Sequence, residues 1–172
     1  MNNAYQTMKA FWLDVKNLEH KKQVPQLGAQ KICVAGVEMA AVDARGVIKN
    51  LMIAACSLGN ASVYFENNSP SGIGGFTSGG AAGPVHEKAQ LLMYTAAALA
   101  GKLPVLEDLP IQKNPEMVTL FTVGGNGEIR GLQIKESEVR QPNHALYEFF
   151  AYTQQLLGAF RTQQERETEK KG

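Results

Sequence analysis

The 172-residue sequence predicts one α+β domain: a five-stranded antiparallel sheet with three helices, in the order α-βββ-α-ββ-α. Three observations carry this. Apolar residues recur at three- and four-residue steps near both ends and in the middle of the chain, as amphipathic helices require. Five apolar runs of strand length lie between them. Segments rich in glycine or proline separate the runs, and neither a repeat nor a linker divides the chain. Residues 1–164 therefore form the expected domain, and 165–172 a polar tail expected to fray.

The first helix is expected over 3–20, with a stripe of Tyr5, Met8, Phe11, Trp12, Val15 and Leu18. Asn2 or Asn3 can cap its start, and His20, Lys21 and Lys22 suit the negative end of its dipole. Ile32 to Val42 is apolar at both parities, the pattern of a strand covered on both faces. Asp43-Ala44-Arg45-Gly46 has the residues of a tight turn. Val47 to Cys56 follows as a strand, with a helix over 47–57 as the competing reading. Ala61 to Glu66 closes a three-stranded meander. Residues 67–83 hold so many glycines that the segment reads as an irregular loop.

Pro84 then opens a helix that is apolar nearly all round and stops at Gly101, the pattern of a central buried helix. Leu103 to Pro115 is an irregular connection. Met117 to Val123 and Ile129 to Lys135 form a hairpin across Gly124-Gly125-Asn126-Gly127, with Gly131 expected to mark a bulge. The last helix is expected from Pro142, with Leu146, Phe149, Phe150, Leu156, Leu157 and Phe160 on one face and fraying from Arg161.

Composition narrows the function. The net charge of +1 is scattered, with no basic stripe, so no nucleic-acid partner is expected. No run approaches the roughly 18 apolar residues of a membrane span, and the polar start is no signal peptide, so the reading is a cytoplasmic chain with no membrane partner. Cys33 and Cys56 sit in apolar runs, as buried small hydrophobes do. Three histidines and two cysteines without ligand spacing predict no metal, and nothing points to a cofactor.

Four residues are the candidates if the chain is an enzyme. His86 and Glu87 open the central helix, where a neutral imidazole can serve as a base. Cys56 would be a thiol partner for His86 if the fold brought them together. Glu38 is an acid embedded in an apolar strand, the environment that perturbs a carboxyl. Around them, Gly74, Gly75, Thr77, Ser78, Gly79 and Gly80 supply backbone N–H groups just before a helix start, which is the composition of an anion cradle. The lysine of a phosphate-binding loop is missing, and no dinucleotide fingerprint is present.

Aromatic residues offer another route. Core packing accounts for most of Phe11 and Trp12 on the first helix and Phe149, Phe150 and Phe160 on the last, and the surplus that one sheet does not bury makes them candidate interface residues. The predicted element order resembles that of the small dimeric chaperones of bacterial type III secretion and, less closely, the roadblock-type adaptor domains. Those chaperones are typically acidic, unlike this chain. The expectation is a non-enzymatic interaction domain, adaptor or chaperone-like and homodimeric, whose partner is another protein. The alternative is a small-molecule-binding protein or enzyme with its site under 71–83 near His86.

Overall fold

A computed structural model describes residues 3–14, 17, 24–78 and 83–171. Its sheet has seven antiparallel strands rather than five, and four helices rather than three accompany it among the described residues. The helices are α1 (Ala4–Leu13), α2 (Pro84–Leu99), α3 (Glu136–Val139) and α4 (Tyr147–Lys171). The strands are β1 (Ile32–Val42), β2 (Ile48–Cys56), β3 (Ala61–Glu66), β4 (Ile73–Ser78), β5 (Val105–Leu106), β6 (Met117–Gly124) and β7 (Ile129–Lys135). Their spatial order is β4-β3-β2-β1-β6-β7-β5.

Both additional strands lie where composition reads as loop. β4 occupies the glycine-rich segment and pairs with β3 in an unbroken register from Ala61↔Ser78 to Glu66↔Ile73. Its ladder is made by backbone groups, so few side chains advertise it. A Cβ at Gly74 would stand 2.6 Å from the Phe65 ring that lies across it, so any larger residue there would displace that ring. β5 is a two-residue strand in the connection and pairs with β7. The meander and the β6–β7 hairpin form as the apolar runs predict, and 48–56 is a strand.

The β6–β7 register is unbroken at Gly131, contrary to the expected bulge; the irregularity falls between Ile32 and Val34 in the β1–β6 pairing. Gly131 instead leaves room for Leu109, whose Cδ1 would lie 2.8 Å from a Cβ. The shift at Ile32 explains why Cys33 and Val34 join the same buried cluster, whereas Ile32 joins the opposite one.

Helices α2 and α4 pack together on one sheet face over Val37, Ile53, Val63 and Leu120. Helix α1 and the strap formed by residues 107–116 cover the other face, over Val34, Met52, Ala54, Phe121 and Val123. β1 is thus buried on both sides, as its sequence predicts.

Asn3 caps α1 in a reciprocal box with Gln6. The helix gives way to extended backbone at Asp14, and apart from Asn17 the rest of the expected 3–20 span lies outside the described residues. Its buried face is Tyr5, Lys9 and Trp12, while Phe11 is exposed. α4 begins at Tyr147 rather than Pro142, after a turn in which His144 Nδ1 accepts the Leu146 N–H at 3.0 Å, and remains helical past Arg161 to Lys171.

Candidate functional site

The glycine-rich segment and the start of α2 are neighbours in sequence but do different work. Gly74, Gly75, Thr77 and Ser78 lie along edge strand β4, so their amides are strung along a ladder instead of converging; Gly79 and Gly80 lie outside the described residues. His86 is the third residue of α2, and its ring rests on Gly59 in the β2–β3 turn, where φ is +85° and no Cβ could fit. Its Nδ1 is buried without a hydrogen-bond partner. Beside it runs a groove of about 330 Å³ between α2 and α4, lined in part by Val85, Ala159, Gln163, Arg166 and Lys170.

Glu87 is exposed in the first turn of α2, where a carboxylate complements the helix dipole. Cys56 belongs to the cluster on the α1 face, whereas α2 packs on the opposite face. The sheet therefore separates Cys56 from His86, and the two form no thiol–imidazole pair. Cys56 instead neighbours Cys33; burial, and then the second thiol, push the Cys33 thiol above its ordinary range.

Glu38 is where the interior becomes polar. It is 0% exposed, in the middle of β1 and facing α1. Three donors reach it: the Tyr5 hydroxyl at 2.8 Å, Lys9 Nζ at 3.0 Å and the Gln112 backbone N–H at 2.6 Å. Lys9 is itself only 4% exposed. A carboxylate and an ammonium removed from water cost several kcal/mol each unless they are paired and hydrogen-bonded, and here both conditions hold. Burial, followed by the Glu38 charge and hydrogen bond, drives the Tyr5 phenol well above the ordinary tyrosine range, so it stays a donor.

Gln112 extends the network across the strap. Its carbonyl oxygen accepts from Asn50 Nδ2 at 2.6 Å, its Nε2 donates to Thr119 Oγ1 at 3.0 Å, and its Oε1 accepts from Gln133 Nε2 at 2.8 Å. One carboxylate thereby fastens both α1 and the strap to the sheet. Sequence reasoning singled out Glu38 but missed its partners, although Lys9 in phase with Tyr5 and Trp12 was the available signal.

The surface holds the other candidates. Trp12, Phe149, Phe150 and Phe160 are buried within the chain, and of the five expected interface aromatics only Phe11, 46% exposed, faces out. Leu91 and Tyr94 on α2 and Val105 on β5 are exposed as well, and three further aliphatic residues gather at one end of the sheet. β1–β6 pairing ends at Met39↔Val118 and β2–β3 pairing at Leu51↔Phe65. The β1–β2 ribbon continues alone through Ala40↔Asn50, Ala41↔Lys49 and Val42↔Ile48.

Near the ribbon tip, Val42, Val47 and Ile48 are 54%, 48% and 40% exposed. The apex is a tight turn: the Gly46 N–H donates to the Asp43 carbonyl at 3.0 Å, and Asp43 Oδ1 accepts from the N–H groups of Arg45 and Val47. Those backbone donors, Val47 first, hold the Asp43 carboxyl below its usual range. Gly46 has φ +79°, a conformation suited to glycine.

Among the described residues no group of histidine, cysteine and carboxylate side chains could hold a metal ion, and no helix is long and apolar enough to cross a membrane. Comparison with protein-family models, curated proteins and solved structures finds no match. The seven-stranded order also removes the element count on which the likeness to secretion chaperones and roadblock adaptors rested.

Proposed function

We propose that the chain is a non-enzymatic protein-interaction domain, adaptor or chaperone-like, that works as a homodimer in the cytoplasm and presents the β1–β2 ribbon to another polypeptide. The ribbon carries the reading: three aliphatic side chains project beyond the sheet on a turn secured by Asp43 and Gly46. Exposed apolar groups grouped on a protruding element mark binding surfaces. The double variant Val47→Lys/Ile48→Lys tests it. Affinity capture from the native cell should lose the proteins retained by the wild type, at an unchanged Tm. Retention of the same proteins by the variant would overturn the reading.

The buried, unpartnered Nδ1 of His86 favours a second reading, a small-molecule site in the groove between α2 and α4. Nucleotides, phosphates and acyl-coenzyme compounds would then raise the Tm of the wild type but not of His86→Ala. A wild-type Tm unmoved by all of them counts against it.

A further inference from the structure

The two edges of the sheet are built differently. β5 closes one edge with two residues directly after Pro104, a short strand that offers little ladder to another chain. β4 closes the other with six residues, Ile73-Gly74-Gly75-Phe76-Thr77-Ser78, in regular register with β3. It carries no charge, no proline and no bulge, the devices by which edge strands prevent pairing. Among the described residues no other strand lies beyond it.

We infer that β4 pairs antiparallel with β4 of a second copy of this chain, joining two sheets into one across a two-fold axis. Three features favour this occupant. An uncharged strand meets no like charge when it faces itself, so the edge is self-complementary. A two-fold perpendicular to the sheet keeps the faces matched, which sets the α2/α4 faces of both copies side by side. On that face Phe76 is only partly buried, packing on Phe65 at 6.1 Å and Phe160 at 6.5 Å between ring centroids. Pairing centred on Gly75 brings each Phe76 opposite Gly74 of the other copy, beside the Phe65 ring that lies over that glycine, so the partly buried ring gains an aromatic neighbour. The result is a continuous sheet presenting two ribbons, which deepens the interaction-domain reading and rests on it.

Light scattering of the full chain over a hundredfold dilution at micromolar concentration tests the inference. The wild type should have twice the 18.7 kDa mass of the protomer. Thr77→Lys, which charges an exposed position of the edge, should have the protomer mass with an unchanged circular dichroism spectrum. Val47→Lys/Ile48→Lys should remain a dimer. A wild type of protomer mass throughout, a folded Thr77→Lys that stays dimeric, or a ribbon variant that falls to the protomer mass would each overturn β4 pairing.

Hydrogen exchange supplies a measurement free of substitutions. Amides of 73–78 should be better protected in the wild type at high than at low concentration, while those of 105–106 should not change. Equal protection of 73–78 at both concentrations would overturn the pairing. The readouts separate the two proposals, because the ribbon reading is tested by partner capture and β4 pairing by the chain alone.

Discussion

The two faces of the sheet are both buried, yet they are held by different physics. The face under α2 and α4 is almost entirely apolar, filled by Val37, Ile53, Leu120, Phe149, Leu156 and Phe160. The face under α1 and the strap also buries apolar side chains, but it is organised around Glu38 and its three donors. An apolar face loses stability in proportion to the volume removed from it. A face organised by a carboxylate fails when a charge or donor is left alone. The same loss of free energy should therefore be reversible by a second substitution on one face and not on the other.

Truncation gives the largest effects. Phe149→Ala should cost about 3–5 kcal/mol in urea unfolding, since the cavity cannot close fully. Lys9→Met should cost a similar amount, about 3–5 kcal/mol, because it leaves Glu38 charged and unpaired in the interior. Adding Glu38→Gln to Lys9→Met should recover most of that loss: the amide still accepts from the Gln112 N–H and offers the Tyr5 oxygen a donor. A double variant no more stable than Lys9→Met alone would erase the distinction between the faces.

Tyr5→Phe sharpens the comparison at lower cost. It removes one buried donor to the carboxylate and should destabilise by about 1–3 kcal/mol. The pH dependence has a definite sign. The folded phenol titrates above the ordinary tyrosine value of 10.0, so its contribution is complete below that pH and falls as pH rises above it. Urea titrations above pH 10.0 should show a steeper alkaline loss in the wild type than in Tyr5→Phe. Parallel profiles would contradict the buried neutral phenol.

The two faces also differ in how they are written in the chain. Runs such as Met117 to Val123, and the spacing of Leu146, Phe149, Phe150, Leu156 and Phe160, announce burial because apolar residues dominate them, with Thr119 and Thr122 the buried exceptions in the first run. The polar face is not local in that sense. Lys9 and Glu38 are 29 residues apart, and Gln112 lies another 74 beyond Glu38, so nothing in the neighbourhood of any one of them identifies the others. β4 was hidden for a different reason: glycine contributes a full share of ladder hydrogen bonds while giving no strand signal. Of the aromatics that were candidates for an interface, Trp12, Phe149, Phe150 and Phe160 are buried, Phe160 against Phe76 of the added strand β4, and Phe11 stays exposed.

The smallest expected effect is at the ribbon. The Asp43 carboxyl is held low by backbone donors, so its support for the turn is present above the ordinary aspartate value of 3.8 and is lost as pH falls through its lower folded value. Asp43→Ala should speed hydrogen exchange at Arg45 and Val47 near neutral pH and leave the global Tm almost unmoved. Unchanged exchange at both amides would mean that the carboxylate does not hold the turn.

These differences separate a settled interior from the projecting ribbon proposed to bind another polypeptide. The most direct measurement is affinity capture from the native cell with Val47→Lys/Ile48→Lys beside Lys9→Met/Glu38→Gln. The ribbon variant should lose its bound proteins at wild-type Tm, while the interior variant should keep them despite its altered core. Retention by the ribbon variant with loss by the interior variant would contradict that proposal.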